Sequence, residues 1–286
     1  MYQLFPQQKK RMLFYVAIIL ALGIALVFLN PAVNLPLLIL ACAFACGMMV
    51  LLYYLRAAAQ HNALLARLYN QLDAEGFLRD YEPFLKIDLR SQNLYLMVRL
   101  HLSNAYCALG RFDDAIALLE GIAYRPDKPE RLLLGKYSIV SNLCYCYEQK
   151  GDAEASGRYL KILREYKAQL EAMQEKKPER LRMAFSIALN EQCYRFLTEG
   201  TADIDVLRTQ VQENNTQQLH RVTTSLWIAR AQLAAHNRRE AEALLEKIVT
   251  LAPHLYPGQL AQQILGALPG RGAEKADLPA PENAGA

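Results

Sequence analysis

Five histidines, six cysteines and 28 acidic side chains are the residues of this 286-residue chain that could hold a metal, attack a substrate or move a proton. Such chemistry needs them gathered, because a metal site collects three or four ligands and a nucleophile needs a base beside it. His61, His101, His220, His236 and His254 are scattered along the sequence. Cys42 and Cys46 sit inside an apolar run, and Cys107, Cys144, Cys146 and Cys193 fall within helical patterns at small-residue positions. There is no Cys-x-x-Cys pair, glycine-rich phosphate loop, Gly-x-Ser-x-Gly or His-Glu-x-x-His string. The carboxylates run along helices among Lys and Arg, as on solvated faces. The expectation is a chain that is not an enzyme, binds no metal and needs no cofactor. Its cysteines are expected to stay reduced as small buried hydrophobes.

The elements that would position any site divide the chain sharply. Residues 12–29, MLFYVAIILALGIALVFL, and 36–55, PLLILACAFACGMMVLLYYL, are apolar and uncharged. Each is long enough to cross a hydrocarbon core of about 30 Å. The short link from Asn30 to Leu35 makes them a helical hairpin, with Pro31 and Pro36 suited to a turn and a helix start. Lys9, Lys10 and Arg11 precede the first span and Arg56 follows the second, with nothing positive between. The excess of Lys and Arg on one side predicts both termini in the cytoplasm, in a two-span protein of the cell membrane. Tyr2, Phe5, Tyr15, Tyr53 and Tyr54 are candidate interface anchors. A cleaved signal peptide is the competing reading, opposed by the second span, which follows at once, and by the lack of a convincing small-x-small cleavage site between the two. Neither span holds an ionisable residue, so no intramembrane proton relay is expected. Ala41, Ala43, Ala45 and Gly47 suit close packing within the hairpin, or docking of a second copy.

The rest reads as helix. The net charge is +4, of which Lys9, Lys10 and Arg11 carry three, leaving the part after Leu55 near neutral. That argues against a nucleic-acid surface. No stretch alternates in the manner of a β-sheet protein. A helix is expected over 57–75, broken by Gly76. In Arg99–Ile122, Leu102, Tyr106 and Leu109 form one helical stripe, Gly110 can end that helix, and Asp113 and Asp114 suit the first turn of the next. From Pro269 onward the composition is that of a disordered tail.

The string Leu102-Ser103, Tyr106, Gly110, Phe112, Ala115, Leu119 resembles a tetratricopeptide repeat (TPR), a helix–turn–helix unit of about 34 residues. Leu143, Cys144, Tyr147, Gly151, Ser156 and Leu160 repeat the pattern, and Ala241, Leu245, Ile248 and Pro253 match its later positions. A unit at about 180–214 is weak, and so is the first, whose helices are 57–75 and the stretch FLRDYEPFLKI after Gly76. The glycine spacings of 41 and 49 residues, Gly110 to Gly151 to Gly200, exceed the strict period. The expected architecture is all-α: a basic segment 1–11, a transmembrane hairpin 12–55, a TPR-like α-solenoid over 57–268 and a tail 269–286.

The resemblance implies that the first helix of each pair lines a groove that grips a peptide or another protein. By position, the groove candidates are Met97, Leu100, His101, Asn104 and Cys107 in one unit, Ser138, Asn142, Tyr145 and Glu148 in the next, and Trp227 and Arg230 in the fifth. Some relatives hold a carboxylate with asparagines at such places, but the accompanying lysines are missing here. The function expected is a membrane-anchored scaffold that recruits a protein partner on the cytoplasmic side. The alternative is a non-catalytic subunit of a larger membrane or envelope complex, with the repeat domain inside or outside.

Overall fold

A computed structural model describes residues 4–30, 32, 34–172, 178–213 and 217–269. The expected tail lies outside these, apart from Pro269, as does Tyr2. Among the described residues the chain is all-helical, with twelve α-helices and no strand. The first two are α1 (Pro6–Leu29) and α2 (Leu35–Tyr69). Both are long and apolar enough to cross a membrane. They pack side by side. The seam falls on Gly23, where a Cβ would stand 2.7 Å from the Cys42 sulfur. Of the small residues on α2, Ala41 and Gly47 are exposed, with nothing within 4 Å of a Cβ placed on Gly47, while Ala43 lines the crevice between the two helices. Asn34 caps α2 by accepting from the Leu37 amide at 3.3 Å.

α2 does not stop where its apolar run stops. It continues without a break to Tyr69, and Ala57, His61 and Leu68 are buried against the helices that follow. The helix was expected to run to residue 75 and break at Gly76; it ends at Tyr69 instead. Leu72 takes a left-handed φ of 61° in the turn, and Asp73 caps α3 (Ala74–Tyr81) by accepting from the Gly76 amide at 2.9 Å. Gly76 lies inside α3, and a Cβ there would collide with the Arg67 guanidinium and the Asp73 carboxylate. A 3₁₀ turn, Glu82–Lys86, follows. Its Phe84 meets Phe5 edge-on at 5.7 Å, while Leu4 enters the main core, so the residues before the first apolar run dock on the helical array. Tyr53 is buried rather than displayed as an anchor; Tyr15 and Tyr54 are exposed.

Four helix pairs and a final helix complete the array: α4 (Gln92–Ala108) with α5 (Phe112–Glu120), α6 (Pro129–Lys150) with α7 (Ala153–Ala172), α8 (Pro178–Glu199) with α9 (Ile204–Glu213), α10 (Gln218–Ala234) with α11 (Arg238–Leu251), and α12 (Tyr256–Ala267). The turn glycines Gly110, Gly151 and Gly200 all have φ between 71° and 76°, a region that costs other L-residues roughly 1–2 kcal/mol. His236 adopts φ 63° at the corresponding turn of the last pair. Ala115, Ser156 and Ala241 are fully buried, which lets the paired helices approach closely.

The array returns on itself. α10 packs on α2, and α12 packs on α4 and α10. Tyr256 of α12 stacks edge-on against Phe112 at 4.8 Å and covers Gly110, where a Cβ would lie 2.9 Å from its ring. One continuous core therefore runs from Leu4 and Leu68 through Leu102 and Leu119 to Leu226, Leu245 and Leu265. Each such large side chain contributes about 1.5–3 kcal/mol by leaving water.

Candidate binding cavities

α2, α4, α6, α8 and α10 surround a cavity of about 310 Å³. The end of α2 supplies Tyr69, α4 supplies Asn104, and α6 supplies Asn142 and Tyr145. Across from them stand Asn190 of α8, Gln210 of α9, and His220 and Thr223 of α10, with Gln217 at the edge. No Asp, Glu, Lys or Arg is among the lining residues. The wall is therefore uncharged, with amides and hydroxyls set among apolar surface from Ala108, Leu189 and Leu219. Asn190, Gln210 and Thr223 are themselves buried; the Asn190 amide bonds Glu148 and the Thr223 hydroxyl bonds the His220 carbonyl.

A second cavity of about 320 Å³ opens between the first halves of α4 and α6. Its walls are mostly apolar, with Leu96, Met97, Leu100 and Leu134, and it carries Ser138, Arg131 and the inner edge of His101. Its floor is tight at Gly135, where a Cβ would collide with the Tyr124 ring. The two cavities meet along α4: Tyr69 of the first bonds His101 of the second at 2.7 Å, and Asn104 donates to the Tyr69 hydroxyl at 2.9 Å. With His101 as the Nε2–H tautomer, Tyr69 donates to Nδ1. Burial holds His101 near pKa 4, so the ring is neutral, and raises Tyr69 to about 12. Behind them His61 bonds the Tyr81 hydroxyl at 2.9 Å, its ring 6.2 Å from that of His101. Burial lowers His61 to about 4 as well.

Seven of the eleven predicted groove residues line one of the two cavities. Asn104, Asn142 and Tyr145 line the first cavity, and Met97, Leu100, His101 and Ser138 line the second. Glu148 lies in neither. It is 1% exposed, directly behind Asn190, whose amide donates to Glu148 Oε1 at 2.9 Å; the Cys144 thiol donates to the same oxygen at 3.2 Å. Glu148 Oε2 has no hydrogen-bond partner. Burial raises this carboxyl to about 8, so it carries its proton at neutral pH. Trp227 is also core, packed edge-on against Phe196 at 5.8 Å, and Arg230 lies over both rings at 4.3 and 4.8 Å. That pair braces α8 against α10 instead of facing an occupant. Cys107 is buried beside Cys146, their sulfurs 3.1 Å apart, and all six cysteines are free.

Tyr69, Asn190, Gln210, His220 and Thr223 were not read as site residues from the sequence. Asn190 left a usable trace: it stands three residues before Cys193, one helical turn from the register of Asn104 and so on the same face. The others come from the end of α2, from α9 and from the first turns of α10. They join the wall only because the array closes. Among the described residues no group of three or more His, Cys, Asp or Glu is placed to hold a metal ion. Compared with known protein families, with curated proteins and with solved structures, the chain finds no match.

Proposed function

We propose that this chain is a membrane-anchored scaffold without enzymatic activity, which holds a segment of a partner protein in the paired cavities of a TPR-like array. Residues 12–29 and 36–55 span the bilayer of the cell membrane, both termini are cytoplasmic, and the array hangs from α2 on that side. The observation that carries the reading is the wall itself: an uncharged, amide-rich cavity beside an apolar one, both built mainly from the first helix of each pair. Amides serve a bound main chain and apolar walls serve its side chains, which is how protein segments are gripped. Anchorage raises the local concentration of whatever is held.

The test is photo-crosslinking in membranes with the full chain. A photoreactive residue at Gln217 or Met97 is expected to capture a protein, and one at the exposed Lys161 on α7 is not. Equal capture at all three positions, or none at the first two, would overturn the groove. A phosphatase or a fluorescent protein fused after Ala286 reads the topology: fluorescence without phosphatase activity is expected.

A second reading has its own observation. An apolar crevice of about 500 Å³ runs between α1 and α2, lined by Leu20, Gly23, Ile24, Cys42 and Cys46. It fits a subunit whose hairpin packs against helices of a larger complex. Capture from Leu20 with none from Gln217 or Met97 would favour it.

A further inference from the structure

Two arginines bracket the apolar runs: Arg11 stands immediately before residues 12–29 and Arg56 immediately after residues 36–55. The hairpin brings them level. Gly23 of α1 packs on the Cys42 sulfur of α2, and the Gln8 side-chain amide donates to the Gln60 side-chain oxygen. Between those two points the antiparallel register sets Arg11 opposite Arg56. At about 100° per residue both fall on one flank of the seam, whereas Ala57 and His61 fall on the other, buried against the array. Both arginine side chains are exposed. Tyr15, one turn beyond Arg11 on the same flank, is exposed as well. Neither cation has a carboxylate to meet. No Asp or Glu lies on α1 or α2, the first acid of the chain is Asp73, and Asp73 and Asp80 are bound to Arg67. Among the described residues neither Arg11 nor Arg56 enters an ion pair. Two like charges held on one flank repel each other, and an anion between them relieves that repulsion.

We propose that Arg11 and Arg56 together hold the phosphate of an anionic phospholipid headgroup. The inference rests on the membrane reading above and names the lipid that the hairpin selects. With the two apolar runs in the bilayer, both guanidinium groups stand at headgroup depth and Tyr15 at the edge of the acyl chains. A guanidinium is weakly hydrated and matches two phosphate oxygens with parallel N–H donors. Two of them on one flank make a clamp, which a single flanking cation does not. Lys9 and Lys10 are exposed too, but Lys9 turns to the array's flank and Lys10 away from α2, so neither shares the position.

The experiment uses the full chain, purified in detergent and titrated with phosphatidylglycerol or with phosphatidylcholine of the same acyl chains, and counts bound lipid by native mass spectrometry. Phosphatidylcholine carries the same phosphate but neutralises it with its own choline. Phosphatidylglycerol is expected to bind about tenfold more tightly. Arg11→Gln combined with Arg56→Gln is expected to abolish that preference, and Lys10→Gln to leave it within about twofold of the parent. Inorganic phosphate at millimolar concentration is expected to displace no lipid, because it lacks the acyl chains that the apolar hairpin also holds. Thermal melts identify a double variant that fails to fold, and Arg56→Gln alone then decides. Equal binding of the two lipids, or a preference that survives the double change, overturns the site. An equal loss from Lys10→Gln means diffuse attraction and overturns the clamp, and displacement by inorganic phosphate overturns the lipid as its source. Alkaline extraction of membranes separates this inference from the reading beneath it. A chain that stays in the membrane but shows no lipid preference sinks the headgroup site alone; a chain that is extracted sinks the membrane span.

Discussion

α2 is one helix in two environments. From Leu35 to Leu55 it displays its side chains: Leu37, Ile39, Leu40 and Phe44 are each at least 60% exposed. From Ala57 to Leu68 it buries them, with Ala57 and Leu68 fully enclosed. Both halves are rich in apolar residues, so total hydropathy does not separate them. Periodicity does. The first half is apolar on every face, whereas in the second Gln60, Asn62 and Arg67 interrupt a stripe that meets α3 and α10. A helix apolar all round needs an apolar solvent, and a striped one needs an apolar neighbour. The two regions differ in polarity as well. Residues 12–29 and 36–55 hold no ionisable acid, base or histidine, whereas the array buries His61, His101 and Glu148.

The same substitution in the two halves is the largest test of that contrast. Leu68→Asp puts a carboxylate into the closed core and is expected to cost the array about 4–5 kcal/mol or more. Leu51→Asp is expected to leave the array's melting unchanged and to lower membrane insertion by about 3 kcal/mol. Circular dichroism melts in detergent and membrane fractionation read the two outcomes. Equal damage to the array from both would break the division.

Next in size is the buried acid. The folded-state pKa of Glu148 is raised, so its stability contribution is whole below the ordinary carboxyl value and is lost as pH rises through about 8. Glu148→Gln removes that loss. It is expected to match the parent near pH 4 and to be more stable by about 3 kcal/mol at pH 8.5 in urea unfolding. The histidines work in the opposite direction. Both are held near pKa 4, so their contribution is whole above the ordinary histidine value and falls as pH drops toward 4. Replacing either by glutamine should flatten the acid limb of a urea-midpoint profile by about 2 kcal/mol. If the slopes survive all three changes, the array's pH response arises elsewhere. The smallest effect is at His236, whose φ of 63° suits glycine. His236→Gly relieves the turn but adds chain entropy, for an expected net gain of about 0.5 kcal/mol.

Much of the architecture could be read from residue order alone. Both apolar runs, the turns at Gly110, Gly151 and Gly200, and the pairing of α4 with α5 and α6 with α7 follow from local pattern, because capping and stripes are local properties. The break before α3 was misplaced because Gly76 suggested a stop, while the signals that act are the Asp73 cap and the Arg67 contact. The cavity was half legible. Asn104 and Asn142 fall on faces that helical spacing predicts, but Glu148 and Trp227 share similar spacing and are core. Which residues of a face are covered depends on the closure of α10 onto α2, and no local pattern encodes that contact.

That closure is borne by a helix without a hinge. With the first half of α2 in the bilayer, the part from Arg56 to Tyr69 rises about 21 Å at 1.5 Å per residue, and Tyr69 at its end is part of the cavity wall. On the proposed reading the cavity would then have a set height above the membrane and a set facing direction, in contrast to a domain on a flexible leash. A segment displayed close to the lipid surface by another membrane protein would need only to diffuse in the plane to arrive at the right level. A site further from the membrane on a tall soluble assembly would not reach the cavity without bending toward it.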